Sequence, residues 1–255
     1  MTVTPIALQL YSVREAMAKD GFAETVKKIA AMGYAGVETA GFPGTTPKEA
    51  SKLFKDLGLV APSAHIGLPI GEDKNRILET MAALGARQIV SPGIGHEPYQ
   101  SIEGIRKACE RFNEANAVAQ ENGYTFAIHN HWMEFQEVEG RNAHEVLLEH
   151  LAPSVLFQLD VYWIQTAGLD SAAIVKKLGQ RAPTLHLKDG PCTREAPMVA
   201  LGEGRMDLSG IVEAGRGTTE WLIVELDRCA TDMLEAVQKS CHYLVSKGLA
   251  RGRKS

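Results

Sequence analysis

Apolar positions along the chain follow one repeated order. A short, nearly unbroken apolar run gives way to a stretch with apolar residues every three or four positions, and then another short run begins. The short runs predict strands over 6–10, 36–39, 59–65, 88–91, 125–129, 155–160, 184–187 and 221–225. The longer periodic stretches predict helices over 22–32, 47–57, 74–84, 101–122, 143–151, 171–178 and 231–247, with about one further turn within 206–215. Gly33, Gly58, Gly85, Gly123 and Gly179 stand where helices should stop. Runs such as Leu222-Ile-Val and Phe126-Ala-Ile are apolar without alternation, the pattern of parallel strands covered on both faces.

Eight strands alternating with seven or eight helices, without a linker, predict a single-domain α/β fold, a closed (β/α)8 TIM barrel over residues 1–250. An open doubly wound sheet rarely needs eight equal units. No GxGxxG follows the first strand, and no GxxxxGK[ST] occurs. Residues 251–255, Arg-Gly-Arg-Lys-Ser, read as a short basic tail with a frayed, solvated end.

The 255 residues, 45% hydrophobic and 23% charged, suit one ordinary globular domain with a large core. A net charge of −4 argues against nucleic acid as a partner. No apolar run reaches membrane-spanning length, and the N-terminus lacks a secretory pattern. Cys109, Cys192, Cys229 and Cys241 are scattered and read as free thiols, so the expected location is cytoplasmic.

Polar residues gather where strands end, which in a barrel of this kind is the catalytic face. The fifth run closes in Ile128-His129-Asn130-His131, followed by Glu134; the sixth ends at Asp160, the seventh at His186, the eighth at Glu225. Neighbouring strands lie under ~5 Å apart, so Asp160, His186 and Glu225 can converge on one divalent ion (Mn, Zn, Co or Fe). Each alone reads as a cap, a core histidine or a rim charge; together at successive strand ends they read as ligands. A fourth ligand should come from the fifth strand. Glu134 is preferred for its charge, with His129 the better placed alternative; His131 and His129 are then proton-transfer groups. Lys188, two residues past His186, either stabilises developing negative charge or pairs with Asp189. Gln9, Glu38, His65 and Trp163 are candidates for contact with a hydroxylated substrate.

These residues carry a resemblance. Leu8-Gln-Leu-Tyr-Ser-Val-Arg14, Gly33-Tyr-Ala-Gly-Val-Glu38, His129-Asn-His131 through Glu134-Phe135, Leu159-Asp-Val-Tyr-Trp163, Leu185-His-Leu-Lys-Asp189 and Val224-Glu225 make the chain similar to the xylose isomerase-like TIM-barrel superfamily, in particular the sugar phosphate isomerase/epimerase group. The resemblance implies a divalent ion held by a glutamate, an aspartate, a histidine and a glutamate from the fifth to eighth strand ends. Asp160, His186 and Glu225 match the last three. The first position departs, since the fifth strand closes in His129 and offers a carboxylate only at Glu134.

The implied activity is a metal-dependent isomerase or epimerase acting on a sugar or keto-sugar. It abstracts a proton next to a carbonyl through an enediolate, with Glu225 and His129 or His131 as proton-transfer groups and Lys188 as auxiliary. The alternative is a metal-dependent dehydratase of a keto-cyclitol or keto-sugar such as inosose; a metal-dependent endonuclease and a non-catalytic sugar-binding barrel are the remaining readings. No arginine cluster marks a phosphate pocket, so an unphosphorylated small carbohydrate is the expected partner. A homo-oligomer accords with the dimers and tetramers common in the family.

Overall fold

A computed structural model describes residues 3–253. Eight parallel strands form one sheet: β1 (Ile6–Gln9), β2 (Gly36–Glu38), β3 (Ser63–His65), β4 (Gln88–Ser91), β5 (Thr125–His129), β6 (Leu156–Asp160), β7 (Thr184–Leu187) and β8 (Trp221–Val224). They are ordered β2-β1-β8-β7-β6-β5-β4-β3. The two ends of that order meet through parallel bridges, Gly36 to Val60 and Thr39 to Ala64, with Val37 N donating to Val60 O at 2.9 Å and His65 N to Thr39 O at 2.8 Å. The sheet is therefore a nearly closed TIM barrel forming a single domain. The third strand is shorter than the 59–65 run because Pro62 has no N–H for the ladder.

Helices cover the outside, including Phe22–Ala31, Pro47–Asp56, Lys74–Leu84, Ile102–Glu121, Ala143–His150, Ser171–Leu178 and Met233–Ser246. The weak 206–215 stretch forms the helix Leu208–Ala214. Their starts are set locally. Thr46 Oγ1 accepts from Glu49 N at 3.2 Å while Glu49 Oε2 accepts from Thr46 N at 2.9 Å, and Pro47 occupies the first helical position. Among the elements not expected are the helices Arg14–Asp20 and Val161–Thr166, and a small antiparallel hairpin, Glu137–Val138 with Arg141–Asn142, inserted after β5.

The tail departs from the sequence expectation over 251–253. Ile6 N donates to Arg251 O at 3.0 Å, Arg251 N to Thr4 O at 2.9 Å, and Arg253 N to Gly33 O at 2.8 Å, so this backbone is bonded to the start of the barrel rather than frayed. Lys254 and Ser255 lie outside the described residues. No described helix is long and apolar enough to cross a membrane.

Strand alternation positions the site. On β6, Phe157 and Leu159 are buried among apolar residues while Gln158 and Asp160 bond to polar groups of the barrel interior. Barrel closure depends on Gly36, where a Cβ would meet Val60 O at 2.5 Å and Trp221 Cζ3 at 2.9 Å. Gly36→Ala is therefore expected to destabilise the fold by about 1–3 kcal/mol, read as a lowered denaturant midpoint. An unchanged midpoint would show that the β2–β3 seam is looser than described.

Candidate metal centre

The upper end of the barrel holds two tiers of polar side chains. The lower is organised by Glu38, which is fully buried. Its Oε1 accepts from Gln9 Nε2 at 2.6 Å and lies 2.7 Å from His186 Nε2; its Oε2 accepts from Gln158 Nε2 at 2.6 Å and from Ser63 Oγ. Burial alone would raise this carboxyl, but His65, His186 and the hydrogen bonds outweigh it and hold it at about 2.

Above lies the cluster itself. One ligand atom from each of His129, Asp160, His186 and Glu225 falls within 4.8 Å of every other, all four residues being buried. His186 Nδ1 is 2.8 Å from Glu225 Oε2, and His129 Nε2 is 3.8 Å from Asp160 Oδ2. Lys188 Nζ lies 2.8 Å from each of Asp160 Oδ2, Glu225 Oε2 and Asp227 Oδ1. Asp160 Oδ2 is nonetheless buried without an aligned hydrogen-bond donor. Its other oxygen accepts from Trp163 N at 3.0 Å, capping the helix Val161–Thr166, and Asn130 Oδ1 receives the Asp160 N–H at 2.9 Å.

Charge follows from these contacts. Burial would lower His186, but Glu225 and Glu38 on its two nitrogens raise it to about 10. Burial would lower Lys188 too, yet Asp160, Asp227 and Glu225 keep it well above its ordinary value, so it is a fixed cation and not a base. Asp160 is pushed up to about 6 by burial, against the pull of Lys188 and helped by Asp227 and Glu225. Burial would also raise Glu225, but Lys188 and His186 hold it well below the usual carboxylate range. His129 and His131 are both pushed down by burial, with His186 adding to it at His129 and Lys188 at His131, the latter reaching about 4. Both imidazoles are neutral at pH 7, each with a lone pair.

A cavity of about 440 Å³ opens over the cluster, lined by Tyr11, Ala40, His65, Pro92, His129, His131, Glu225 and Asp227. Of the sequence candidates, it brings His65, His129, His131 and Glu225 to one space, with Asp160, His186 and Lys188 directly beneath. Glu134 is elsewhere: it is buried on the turn Met133–Phe135 and accepts the His131 N–H at 2.8 Å. His129 takes the fourth place in the cluster instead, because it ends β5 while Glu134 lies five residues further on.

Gln9 and Glu38 are buried below the cavity with protein partners, not on its wall. Trp163 is also buried, its ring 5.6 Å from Lys188 Nζ, so it backs the lysine and does not line the cavity. The Lys188–Asp189 pair does not form. Asp189 instead accepts backbone N–H groups from Gly190, Gly202, Gly204 and Met206. Gln158 and Asp227 were missed, although each lies two residues from a named ligand and so on its side of the chain, the rule that found Lys188. The cysteines take no part: burial pushes Cys109 up to about 12 and Cys241 up to about 11.

Residues 26–246 match the family described as xylose isomerase-like TIM barrel. The chain belongs to that family. Among solved structures, it is similar to a sugar phosphate isomerase/epimerase from Parabacteroides distasonis, with 23% identity, a TM-score of 0.81, and 98% of this chain and 96% of the other covered. An L-ribulose 3-epimerase is 15% identical over 96% of this chain and 94% of its own, with a TM-score of 0.72. The probable 3-DHS dehydratase AsbF from Bacillus anthracis is 14% identical over 95% and 99%, with a TM-score of 0.74. At these identities the likeness is one of fold. No curated protein matches the chain.

Glu134 gives a prediction independent of any ligand. Burial raises it from 4.5 to about 7, against the pull of the His131 N–H. The folded state therefore holds this proton more tightly than the unfolded chain, and stability falls as pH rises between those values. The loss from this group is about 3 kcal/mol. Urea unfolding from pH 4.5 to 7.5 should show Glu134→Gln flattening that decline, whereas parallel curves would mean that Glu134 stays ionised in the fold.

Proposed function

We propose that the chain is a divalent-metal-dependent isomerase or epimerase of a small sugar or keto-sugar, its ion held by His129, Asp160, His186 and Glu225. The carrying observation is the convergence of those four donors beneath the cavity. Ligand atoms about 2.1 Å from a common ion stand about 3.4 Å apart in a tetrahedron, and the spread here accommodates that. The unaligned Asp160 Oδ2 and the excess of carboxylates over Lys188 and His186 favour a further cation in the same place. Two imidazoles and two carboxylates suit Zn, Mn, Co or Fe.

Such an ion polarises substrate oxygens and lowers the cost of charge that develops on them. The remaining work falls to the chain. With His129 engaged as a ligand, His131 is the neutral base on the β5 side of the cavity, and Glu225 is the carboxylate on the β8 side. Removal of a proton next to a carbonyl by one and its return by the other gives epimerisation; return to the neighbouring carbon gives isomerisation. Lys188 stays charged throughout and stabilises enediolate charge without moving a proton.

The substrate is read as unphosphorylated. No lysine or arginine lines the cavity, so no side chain there supplies the charge-assisted hydrogen bonds that a phosphate dianion is recognised by. One observation favours a second reaction. The two sides carry unlike groups, an imidazole facing carboxylates, and loss of a β-hydroxyl needs one base rather than a matched pair. A dehydratase of a keto-sugar or keto-cyclitol is therefore the second reading, in line with the fold likeness to the probable 3-DHS dehydratase.

Two variants test the proposal. Asp160→Ala should lose bound ion, read by metal analysis of purified protein. His131→Ala should keep the ion yet slow deuterium uptake from heavy water into keto-sugar substrates by about 10²–10⁴-fold. The reading fails if Asp160→Ala retains both ion and exchange. Product analysis of the same reactions separates epimerisation from dehydration.

A further inference from the structure

Gln158 is wholly buried on β6, and no step above uses it. Its carboxamide nevertheless joins three groups of the centre. The Nε2 atom is 2.6 Å from Glu38 Oε2, and the Oε1 atom is 2.5 Å from His65 Nε2 and 3.2 Å from His129 Nδ1. Glu38 already takes the Gln9 amide N–H on one oxygen and the Ser63 hydroxyl on the other, so it acts as the acceptor and the nitrogen of the Gln158 amide faces it. Its oxygen then faces both imidazoles, and each imidazole must supply the proton. This fixes His65 as the Nε2–H form and His129 as the Nδ1–H form. The Nε2 of His129 is left bare, 3.8 Å from Asp160 Oδ2, too far for a hydrogen bond.

We propose that Gln158 is a positioning residue that sets the tautomer of His129, keeping its Nε2 lone pair open toward Asp160. A neutral imidazole by itself prefers its proton on Nε2. Without the amide oxygen that proton would sit between His129 and Asp160 and occupy a donor atom on the histidine and an acceptor on the carboxylate. One amide thereby links the charge of Glu38 to the ligating form of His129, an arrangement that outer hydrogen-bond partners of metal-bound histidines share. The tautomer claim stands on the contacts alone; its consequence for the ion rests on the function proposed above.

The test reads the histidine in the metal-free, full-length protein. Two-bond 1H–15N correlation spectra, with His129 assigned through His129→Gln, should show the wild-type proton on Nδ1. Gln158→Leu should move it to Nε2 and weaken Mn²⁺ binding by about 10–100-fold. Gln158→Glu, which still accepts from both rings, should restore the Nδ1 proton, a rescue that a merely space-filling role does not predict. A wild-type proton on Nε2, or a Gln158→Leu protein that folds with His129 unchanged, overturns the proposal. If Gln158→Leu does not fold, the wild-type and Gln158→Glu spectra decide. A tautomer that moves with no change in Mn²⁺ affinity supports Gln158 as the positioning group and removes His129 from the proposed ligand set.

Discussion

Concentrated, buried negative charge is the constraint that shapes the upper end of this barrel. Glu38, Asp160 and Glu225 are buried together, with Asp227 beside them. An unpaired buried carboxylate costs several kcal/mol. Each residue around them is there to meet that cost. Gln9, Ser63 and Gln158 donate to Glu38, Asn130 fixes the Asp160 backbone, and Lys188 stands among the other three. His186 is drawn into the protonated form because a carboxylate sits at each nitrogen. Even so, one carboxylate oxygen remains without an aligned donor, and Asp160 is pushed toward neutrality. A buried site so arranged has the donor set to hold a further cation.

The architecture was readable because local and global signals agree. Continuous apolar runs announced parallel strands buried on both faces, and glycines and caps fixed where helices stop and start. Strands β4, β5 and β7 coincide with the runs that announced them. Agreement failed where a second factor acted. Pro62 interrupts the β3 run, and the helix Val161–Thr166 follows Asp160 directly, its start set by that residue's cap rather than by apolar spacing. The hairpin after β5 turns at Glu139 and Gly140, both at positive φ, in a segment too short for periodicity to register.

The centre was legible to the extent that it depends on strand ends. Asp160, His186 and Glu225 converge as three successive termini should. Glu134 does not join them, because charge balance favoured it on paper while chain geometry placed it on a turn below His131. Glu38 and Gln9 were expected to meet substrate, but depth decides their role: both are buried under the cavity, where Gln9 donates to Glu38 and Glu38 bonds His186. Sequence spacing gives the side of a strand and not the depth within the barrel.

Exchanging a carboxylate for an imidazole at the fifth strand end alters what the cavity can do. A carboxylate there would give two anionic groups flanking a substrate; in the proposed function His129 is instead a neutral donor, and proton transfer on that side is assigned to His131. Which side chains hold a divalent ion is the decisive question. Crystals grown with Zn²⁺ or Mn²⁺ and measured at the metal absorption edge locate it directly. One anomalous peak is expected within about 2.0–2.3 Å of His129 Nε2, Asp160, His186 and Glu225. A peak held by Glu134 without His129, or no peak in the barrel, would contradict it.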